Sequence, residues 1–252
     1  MADRVTELLD FDLALLEALL EGRPTWGTDA PPLPLWDRDV QREPLRLVGF
    51  DEAGRGALAG PVAVACVHFD FESAGRISQI ERSRLTEVLR GLDDSKRVAH
   101  RGREALFDAI TATATWGLGV AAPSEIDRWG IVHACRLAAR RALGKLNFGP
   151  TVVLFDRGLS LVEHRAHATI PELELTHGDA RSLHIAAASI VAKVGRDAIM
   201  CRLDRRFPGY GLAEHKGYGT VAHREAIHCL GLSLVHRRSF CTRMEVAESQ
   251  SR

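Results

Sequence analysis

The 252-residue sequence lacks an excess of charge of either sign, because 33 lysine and arginine residues balance 33 aspartate and glutamate residues. A uniformly basic nucleic-acid-binding protein is therefore excluded, although a locally basic face is not. No CxxC pair occurs among the five cysteines, so the spacing of a zinc site is missing. The odd count and the wide spacing of these cysteines fit a reduced, cytosolic protein.

The sequence also lacks an apolar run near the ~18 residues that a membrane span needs. Its first apolar stretch, residues 11–20, is interrupted by Asp12 and Glu17 and is preceded by acids, unlike a signal peptide. We therefore expect a cytoplasmic protein that does not contact a membrane.

Charge is unevenly distributed along the chain. Residues 1–50 hold 10 acidic and 5 basic residues, whereas residues 180–252 hold 6 acidic and 12 basic residues. The last third is thus the candidate surface for a polyanion. Solvated helix faces explain the same excess, and charge alone favours that simpler interpretation.

Hydrophobic periodicity predicts an α/β domain that begins near residue 45. Strands are expected at residues 45–50, 61–69, 116–122, 151–155 and 166–175. Helices are expected at residues 3–22, 81–89, 103–114, 129–146, 183–207 and 220–230, the last being the final regular helix. The Gly-rich segment between the first two strands suggests an antiparallel pair. We expect two units: residues 1–44, an extension made of a helix and a Pro-rich linker, and the domain 45–252.

Four carboxylates lie at the ends of predicted elements. Asp51 and Glu52 directly follow the first strand, Asp156 follows the strand TVVLF, and Asp179 precedes the longest helix. Like charges held close together are costly unless a cation neutralises them, and oxygen ligands favour Mg²⁺ or Mn²⁺. Two simpler roles stay open: Asp179 as the N-cap of the helix and Asp156 as a turn residue. Asp197 is interpreted as a helix-surface or ion-pair residue.

The segment from Gly49 to Gly56, GFDEAGRG, is more specific than a single Gly-rich turn. Its glycines flank an arginine and follow two adjacent acids, and glycines let backbone amides approach a ligand closely. From the residues alone, Arg55 either holds a phosphate or forms a salt bridge with Glu52.

These motifs resemble the ribonuclease HII family, the type 2 ribonucleases H. DEAGRG followed by GPVAVACV resembles the family's first motif, and four later motifs occur in the family's order. They are LDDSK (92–96), GDARSLHIAAASIVAKVGRD (178–197), HKGYGT (215–220) and HRRSF (236–240). The resemblance spans about residues 45–241.

The resemblance implies a ribonuclease H-like mixed sheet flanked by helices, with a helical C-terminal part. It implies an endonuclease that hydrolyses the RNA strand of RNA–DNA hybrids and incises duplex DNA 5′ of embedded ribonucleotides, which starts their removal. Two divalent ions, Mg²⁺ or Mn²⁺, would clamp the scissile phosphate. The family's four metal-binding acids correspond to Asp51, Glu52, Asp156 and Asp179.

Substrate contacts also follow from the resemblance. Backbone groups of Gly54, Arg55 and Gly56 would read the 2′-hydroxyl together with Tyr218, whose alternative role is that of a core aromatic. Basic side chains that would contact phosphates are Lys96, Lys193 and Lys216, with Arg237 and Arg238 as weaker candidates. Solvated surface charge is the alternative role for each of them.

Two features depart from the family pattern. Arg157 stands between Asp156 and Gly158, where the family has Asp-Gly, so we expect an altered turn. Residues 1–44 lie outside the family core, and docking on the domain, pairing with another protein and partial disorder are all open. Trp26 and Trp36 favour docking. The tail 245–252 carries no aromatic pair of a sliding-clamp peptide, and a monomer is the expected state.

Two other functions compete with a ribonuclease. The first is a catalytically inactive nucleic-acid-binding protein of the same fold, against which the presence of all four acids argues. The second is a phosphate-binding ATPase, but no GxxxxGK[ST] occurs, which excludes its P-loop form.

Overall fold

The computed structural model describes residues 3–20, 45–71, 77–93, 98–163 and 170–245. In these ranges, the centre of the fold is a five-stranded sheet with the strand order β3-β2-β1-β4-β5. Its strands are β1 (Leu47–Ala53), β2 (Val62–His68), β3 (Thr115–Ala121), β4 (Val152–Asp156) and β5 (Glu172–Leu175).

The sheet is mixed, as predicted. β1 pairs with β2 and β2 with β3 in antiparallel fashion, whereas β1 with β4 and β4 with β5 are parallel pairs. All seven residues of β2 are buried, because helices cover both faces of the sheet at this strand.

Eight α-helices surround this sheet in the described residues. They are α1 (Arg4–Leu20), α2 (Gln79–Val88), α3 (His100–Thr113), α4 (Pro123–Leu143), α5 (Leu183–Arg206), α6 (Leu212–His215), α7 (Val221–Leu230) and α8 (Arg238–Glu245). Two hydrophobic clusters lie on opposite faces of the sheet. One joins α1, α3 and α5 to the sheet, and the other joins α4 to it. This arrangement confirms the predicted α/β fold with a helical C-terminal part.

Helix α5 lies very close to β1. A Cβ atom on Gly49 would stand 2.4 Å from the backbone carbon of His184, so only glycine fits there. The first ten residues of α5 are all buried and rich in alanine, which allows this close contact. The sequence thus places the start of α5 directly over the strand that carries Asp51 and Glu52.

Several predicted boundaries were wrong. Helix α4 begins at Pro123, six residues earlier than expected, because Pro suits the first turn and the Glu125 carboxylate accepts the Ala122 amide at 2.7 Å. Gly130, with φ of 77°, kinks this helix near the predicted start. The helix at residues 220–230 is not the last, since α8 follows it. The predicted strand 166–175 is confirmed at Glu172–Leu175, and residues 164–169 lie outside the described ranges.

The N-terminal helix is confirmed as α1, and it docks on the domain. Its apolar residues are buried in the same cluster as α5. The Pro-rich linker, with Trp26 and Trp36, lies in residues 21–44, outside the described ranges, and the domain boundary there remains a prediction. Among the helices described, none has the length and apolar character to cross a membrane.

Candidate active site

Asp51 and Glu52 lie among the last paired residues of β1, whereas the prediction placed them directly after the strand. The strand runs on to Ala53 because its pairing with β2 continues, with Asp51 opposite Ala65 and Glu52 opposite Val64. Side chains alternate along a strand, so the two carboxylates leave opposite faces. Asp51 is on the α5 face and only 8% exposed.

Asp156 lies beside Asp51 on the same sheet edge. β1 and β4 are parallel and their last paired residues are Phe50 and Phe155, which directly precede the two acids. Parallel strands end at the same edge, so both carboxylates lie at the carboxyl ends of their strands. The register of β1 and β4 therefore brings together acids that are 105 positions apart in the sequence.

Asp179 joins this edge through a short 3₁₀ turn, Gly178–Ala180, between β5 and α5. The Gly178 amide donates to Asp156 Oδ1 at 2.9 Å, which ties the turn to β4. Asp179 is 7% exposed and is not the N-cap of α5. That position belongs to Ser182, whose hydroxyl accepts the Ile185 amide at 3.3 Å. The simple capping role is thus excluded for Asp179.

Negative charge accumulates at Asp51. Burial raises the pKa of this carboxyl well above its usual value, and the neighbouring Glu52 and Asp156 charges raise it further. The Ser189 hydroxyl and the Glu52 amide, at 2.7 Å, lower the pKa and offset only part of this. A buried carboxylate group of this kind gains stability from a cation.

The donor set fits a hard divalent cation, because it consists of carboxylate oxygens under mutual repulsion. Among the described residues, no three His, Cys, Asp or Glu side chains stand close enough to form a complete ligand set. Asp156 is turned towards the Gly178 amide. A bound ion would have to draw the carboxylates together.

The Gly-rich loop after β1 is held from beneath by a buried arginine. Arg237 is fully buried and donates to the carbonyls of Gly54 (2.8 Å), Arg55 (2.9 Å) and Gly60 (2.9 Å). In a trans peptide the N–H points opposite to the C=O, so the amides of Arg55 and Gly56 face away from Arg237. The weak prediction of Arg237 as a phosphate contact was wrong, because carbonyls enclose its guanidinium.

A second buried arginine supports the same loop. Arg196 of α5 donates to the carbonyls of Pro61 (3.0 Å) and Ala59 (3.3 Å). A Cβ on Gly54, whose φ is +86°, would lie 1.8 Å from Arg196 Nε, so this position requires glycine. Sequence reasoning missed Arg196 as a functional residue. Its spacing from Ser189 and Met200 on the buried side of α5 was the available signal.

Tyr218 lies next to the Gly-rich loop and is 39% exposed, so the core-aromatic role is excluded. The Arg196 guanidinium lies 5.4 Å from its ring centre. The Gly217 carbonyl accepts the amides of Leu58 (2.8 Å) and Ala59 (3.2 Å), which joins the two loops. The structure therefore brings Tyr218 close to the segment of Gly54, as the resemblance implied.

Three histidines lie beneath the Tyr218 loop. His223 Nδ1 lies 3.0 Å from the Tyr218 carbonyl, and His223 Nε2 lies 3.2 Å from His236 Nε2. The Ser233 amide donates to His236 Nδ1 at 3.0 Å, so His236 donates through Nε2 to His223. The His215 ring stacks on His223 with centroids 4.3 Å apart. This network fixes the carbonyl of Tyr218.

The basic candidates differ in their surroundings. Lys193 forms an ion pair with Asp197 at 2.9 Å, which confirms the ion-pair role of Asp197, and Lys216 donates to the Ala213 carbonyl. Both lysines are half-buried, and Arg238 is exposed. Lys96 lies outside the described residues. Their phosphate contacts remain predictions.

Of the two roles left open for Arg55, the structure shows the salt bridge with Glu52, at 3.4 Å between Nη1 and Oε1. The same Nη1 donates to the Gly158 carbonyl at 3.2 Å. Gly158 has φ of +88° and thus makes the left-handed turn, while Arg157 is exposed to solvent. Arg157 thus occupies an exposed position of the turn, and Asp156 keeps its place at the end of β4.

Solved structures share this fold. The ribonuclease H2 of Pyrococcus horikoshii OT3 superposes with a TM-score of 0.64 and 23% identity, over 82% of this chain and 100% of that one. Bst-RNase HIII in complex with Mn²⁺ gives a TM-score of 0.60 and 19% identity, over 91% of this chain and 78% of that one. The fold is thus ribonuclease H-like, with acids at the carboxyl edge of its sheet.

Sequence comparison gives the family. The family model described as Ribonuclease HII matches residues 48–243. The Ribonuclease HII of Maricaulis maris is 42% identical over 206 residues, which is 82% of this chain and 86% of the relative. That of Parasynechococcus marenigrum is 46% identical over 198 residues, 78% and 82% of the two chains. The chain belongs to the ribonuclease HII family, endonucleases that act on RNA–DNA hybrids.

Proposed function

We propose that this protein hydrolyses the RNA strand of hybrids by a two-metal-ion mechanism and also incises duplex DNA 5′ of embedded ribonucleotides. The observation that carries the proposal is the parallel register of β1 and β4, which places Asp51 beside Asp156. The Asp179 turn is bonded to the same edge. These acids and Glu52 are the proposed ligands of two Mg²⁺ or Mn²⁺ ions.

The acids would hold the metal ions and need not contact the nucleic acid. When bound, divalent cations lower the pKa of the attacking water and stabilise the leaving 3′-oxygen. Burial keeps Asp51 away from bulk water, and the Ser189 hydroxyl orients its carboxylate. Arg55 restrains the Glu52 carboxylate through their salt bridge.

Recognition of a ribonucleotide requires a group that reads the 2′-hydroxyl. The amides of Arg55 and Gly56 face away from Arg237, and the position that a Cβ would take on Gly56 is open space. The Arg196 side chain packs against Gly54 on its other side. The half-exposed ring of Tyr218, joined to this loop through Gly217, would stack on the adjoining sugar. Stacking tolerates any base sequence, as removal of scattered ribonucleotides requires.

All five cysteines are unpaired, which supports a reduced cytoplasmic location. We place the protein there as a monomer that binds its substrate without a clamp-binding peptide.

Acid variants test the metal assignment. Asp51→Asn and Asp156→Asn should each lower the rate of hybrid cleavage more than about 100-fold. The reason is that substitution of a residue that only supports a metal ligand already lowers metal affinity or activity by about 10–100-fold. Hybrid binding, measured separately, should stay near wild type. Asp108→Asn, at an exposed acid on α3, is the matched control. Wild-type turnover in either variant would refute the assignment, and binding without cleavage by the wild-type protein would support the inactive-binder alternative.

A further inference from the structure

Helix α1 contacts the turn that carries Asp179 from outside the region that the family model matches. Arg4 Nη2 donates to the Ala180 carbonyl at 2.5 Å. The Arg181 guanidinium lies 4.9 Å from the ring centre of Phe11. Two residues of α1 therefore contact the two positions that directly follow Asp179.

A third contact lies at the start of α5. Asp12 and His184 are both fully buried, and Asp12 Oδ2 lies 2.6 Å from His184 Nδ1 and 3.1 Å from the His184 amide. The Phe69 amide donates to His184 Nε2 at 3.2 Å, so His184 donates to Asp12 through Nδ1. One carboxylate oxygen of α1 thus binds both the backbone and the side chain of His184.

The carboxylate is suited to this place because of the helix geometry. His184 is in the first turn of α5, where backbone amides lack partners within the helix and the helix dipole favours an anion. Ser182 satisfies the amide of Ile185, and Asp12 satisfies that of His184. A buried carboxylate is costly without such partners. Asp12 therefore acts as a second cap, supplied by another helix.

We propose that Arg4 and Asp12 are positioning residues of the ribonuclease site, which hold the 178–184 segment so that Asp179 faces the edge formed by Asp51 and Asp156. The effect extends to Asp156, because the Gly178 amide of the same segment binds its carboxylate. The inference rests on the metal-binding role proposed above for Asp179. It gives α1 a function at the site beyond covering the core.

The direct test is Mn²⁺ binding to the substrate-free protein, measured by calorimetry. Arg4→Gln should weaken binding about tenfold, the lower end of the range for outer-shell partners. The Mg²⁺ concentration for half-maximal cleavage should rise by a similar factor, while KM for the hybrid stays unchanged. Arg4→Lys, which keeps a donor, should recover part of the loss.

Two control variants separate positioning from packing. Arg82→Gln breaks an ion pair between α2 and Asp10 of α1 that does not involve the Asp179 turn. Asp93→Asn removes the negative charge of a second partner of Arg4, at 3.4 Å, and leaves the Ala180 carbonyl bonded. Both should bind Mn²⁺ as the wild type does. Thermal melts of all variants identify any loss of folding.

Asp12→Asn keeps the shape and an acceptor oxygen, so it should fold and show a smaller loss of Mn²⁺ affinity than Arg4→Gln. If Arg4→Gln binds Mn²⁺ as tightly as wild type while Asp179→Asn does not, the positioning role is overturned and the proposed function stands. If Asp179→Asn also binds Mn²⁺ normally, the metal role of Asp179 and this inference are overturned together.

Discussion

His236 donates a hydrogen bond from Nε2 to Nε2 of His223, and the two atoms lie 3.2 Å apart beneath Tyr218. The bond requires His223 to accept, so both rings must be neutral. The pKa of His236 is lowered to about 4, mainly by burial and then by the neighbouring His223. The pKa of His223 is also lowered, mainly by burial and then by His215, against the effect of the Tyr218 carbonyl.

Acid should therefore destabilise the protein through these histidines. A histidine whose folded-state pKa is below its ordinary 6.5 takes up its proton more readily when the chain unfolds. The stability that the neutral histidines contribute to the folded state is fully present above pH 6.5 and is lost as the pH falls towards 4. Each such proton changes the free energy of unfolding by at most about 1.4 kcal/mol per pH unit.

Urea unfolding at pH 7.5, 6 and 5 measures that slope. His236→Gln should reduce the slope between pH 6.5 and 4, whatever its effect on absolute stability. His228→Gln, at an exposed histidine on α7, should leave the slope unchanged. Equal slopes for wild type and His236→Gln would contradict the assignment of His236. His68, whose pKa is lowered to about 4 by burial, accounts for part of the remaining slope.

Asp51→Asn should stabilise the metal-free protein although it abolishes cleavage. Burial and the charges of Glu52 and Asp156 raise the pKa of Asp51, which means that its ionised form opposes folding. Asparagine removes this charge and keeps an acceptor for the Glu52 amide. In EDTA the Tm should rise by roughly 2–4 °C, which is the shift that a gain of about 1 kcal/mol in the free energy of unfolding gives for a chain of this size. A lower Tm would show that the charge is compensated in the native state.

Arg237→Lys should weaken the reading of the 2′-hydroxyl. Lysine cannot reproduce the planar fork that binds the carbonyls of Gly54, Arg55 and Gly60, and an unsatisfied buried carbonyl costs about 1–3 kcal/mol. The value of kcat/KM should fall more for a lone ribonucleotide than for a long hybrid. Arg101→Lys, at an exposed arginine on α3, is the control. An equal decrease in kcat/KM for both substrates would show that Arg237 has no specific role in reading the 2′-hydroxyl.

Tyr218→Ala should lower cleavage at a lone ribonucleotide by about tenfold, which matches the low end of the energy of aromatic stacking. Tyr218→Phe keeps the ring over Arg196 and should retain most of that contribution. Single-turnover rates of both variants, at saturating enzyme, report on positioning rather than on affinity. Unchanged rates for Tyr218→Ala would remove its proposed role.

The sequence predicted the strands that carry the acids because each is a short apolar run bounded by turn residues. Both strands were predicted to end in acids, but the parallel pairing of β1 and β4, which brings Asp51 beside Asp156, was not predicted. The prediction also misplaced the end of β1, because the pairing of Asp51 and Glu52 with β2 is a tertiary property that local propensity does not encode.

The supports of the site were not predictable in the same way. Arg237 looked like a surface cation because its burial depends on carbonyls of a single distant segment, residues 54–60, which lies 177 to 183 positions away in the sequence. The contact of Asp12 with His184 joins residues 172 positions apart, and neither residue belongs to a motif that specifies the other. Close contacts of this kind follow from how α1 packs on α5, which periodicity alone does not determine.

The central claim is tested most directly by a labelled DNA duplex that contains one ribonucleotide, incubated with Mg²⁺ and separately with Mn²⁺. All-DNA and RNA–DNA hybrid duplexes serve as controls. The account predicts a nick on the 5′ side of the ribonucleotide that leaves a 3′-hydroxyl, is absent from all-DNA and is abolished by a chelator. Cleavage of the hybrid with no nick at the lone ribonucleotide would contradict it.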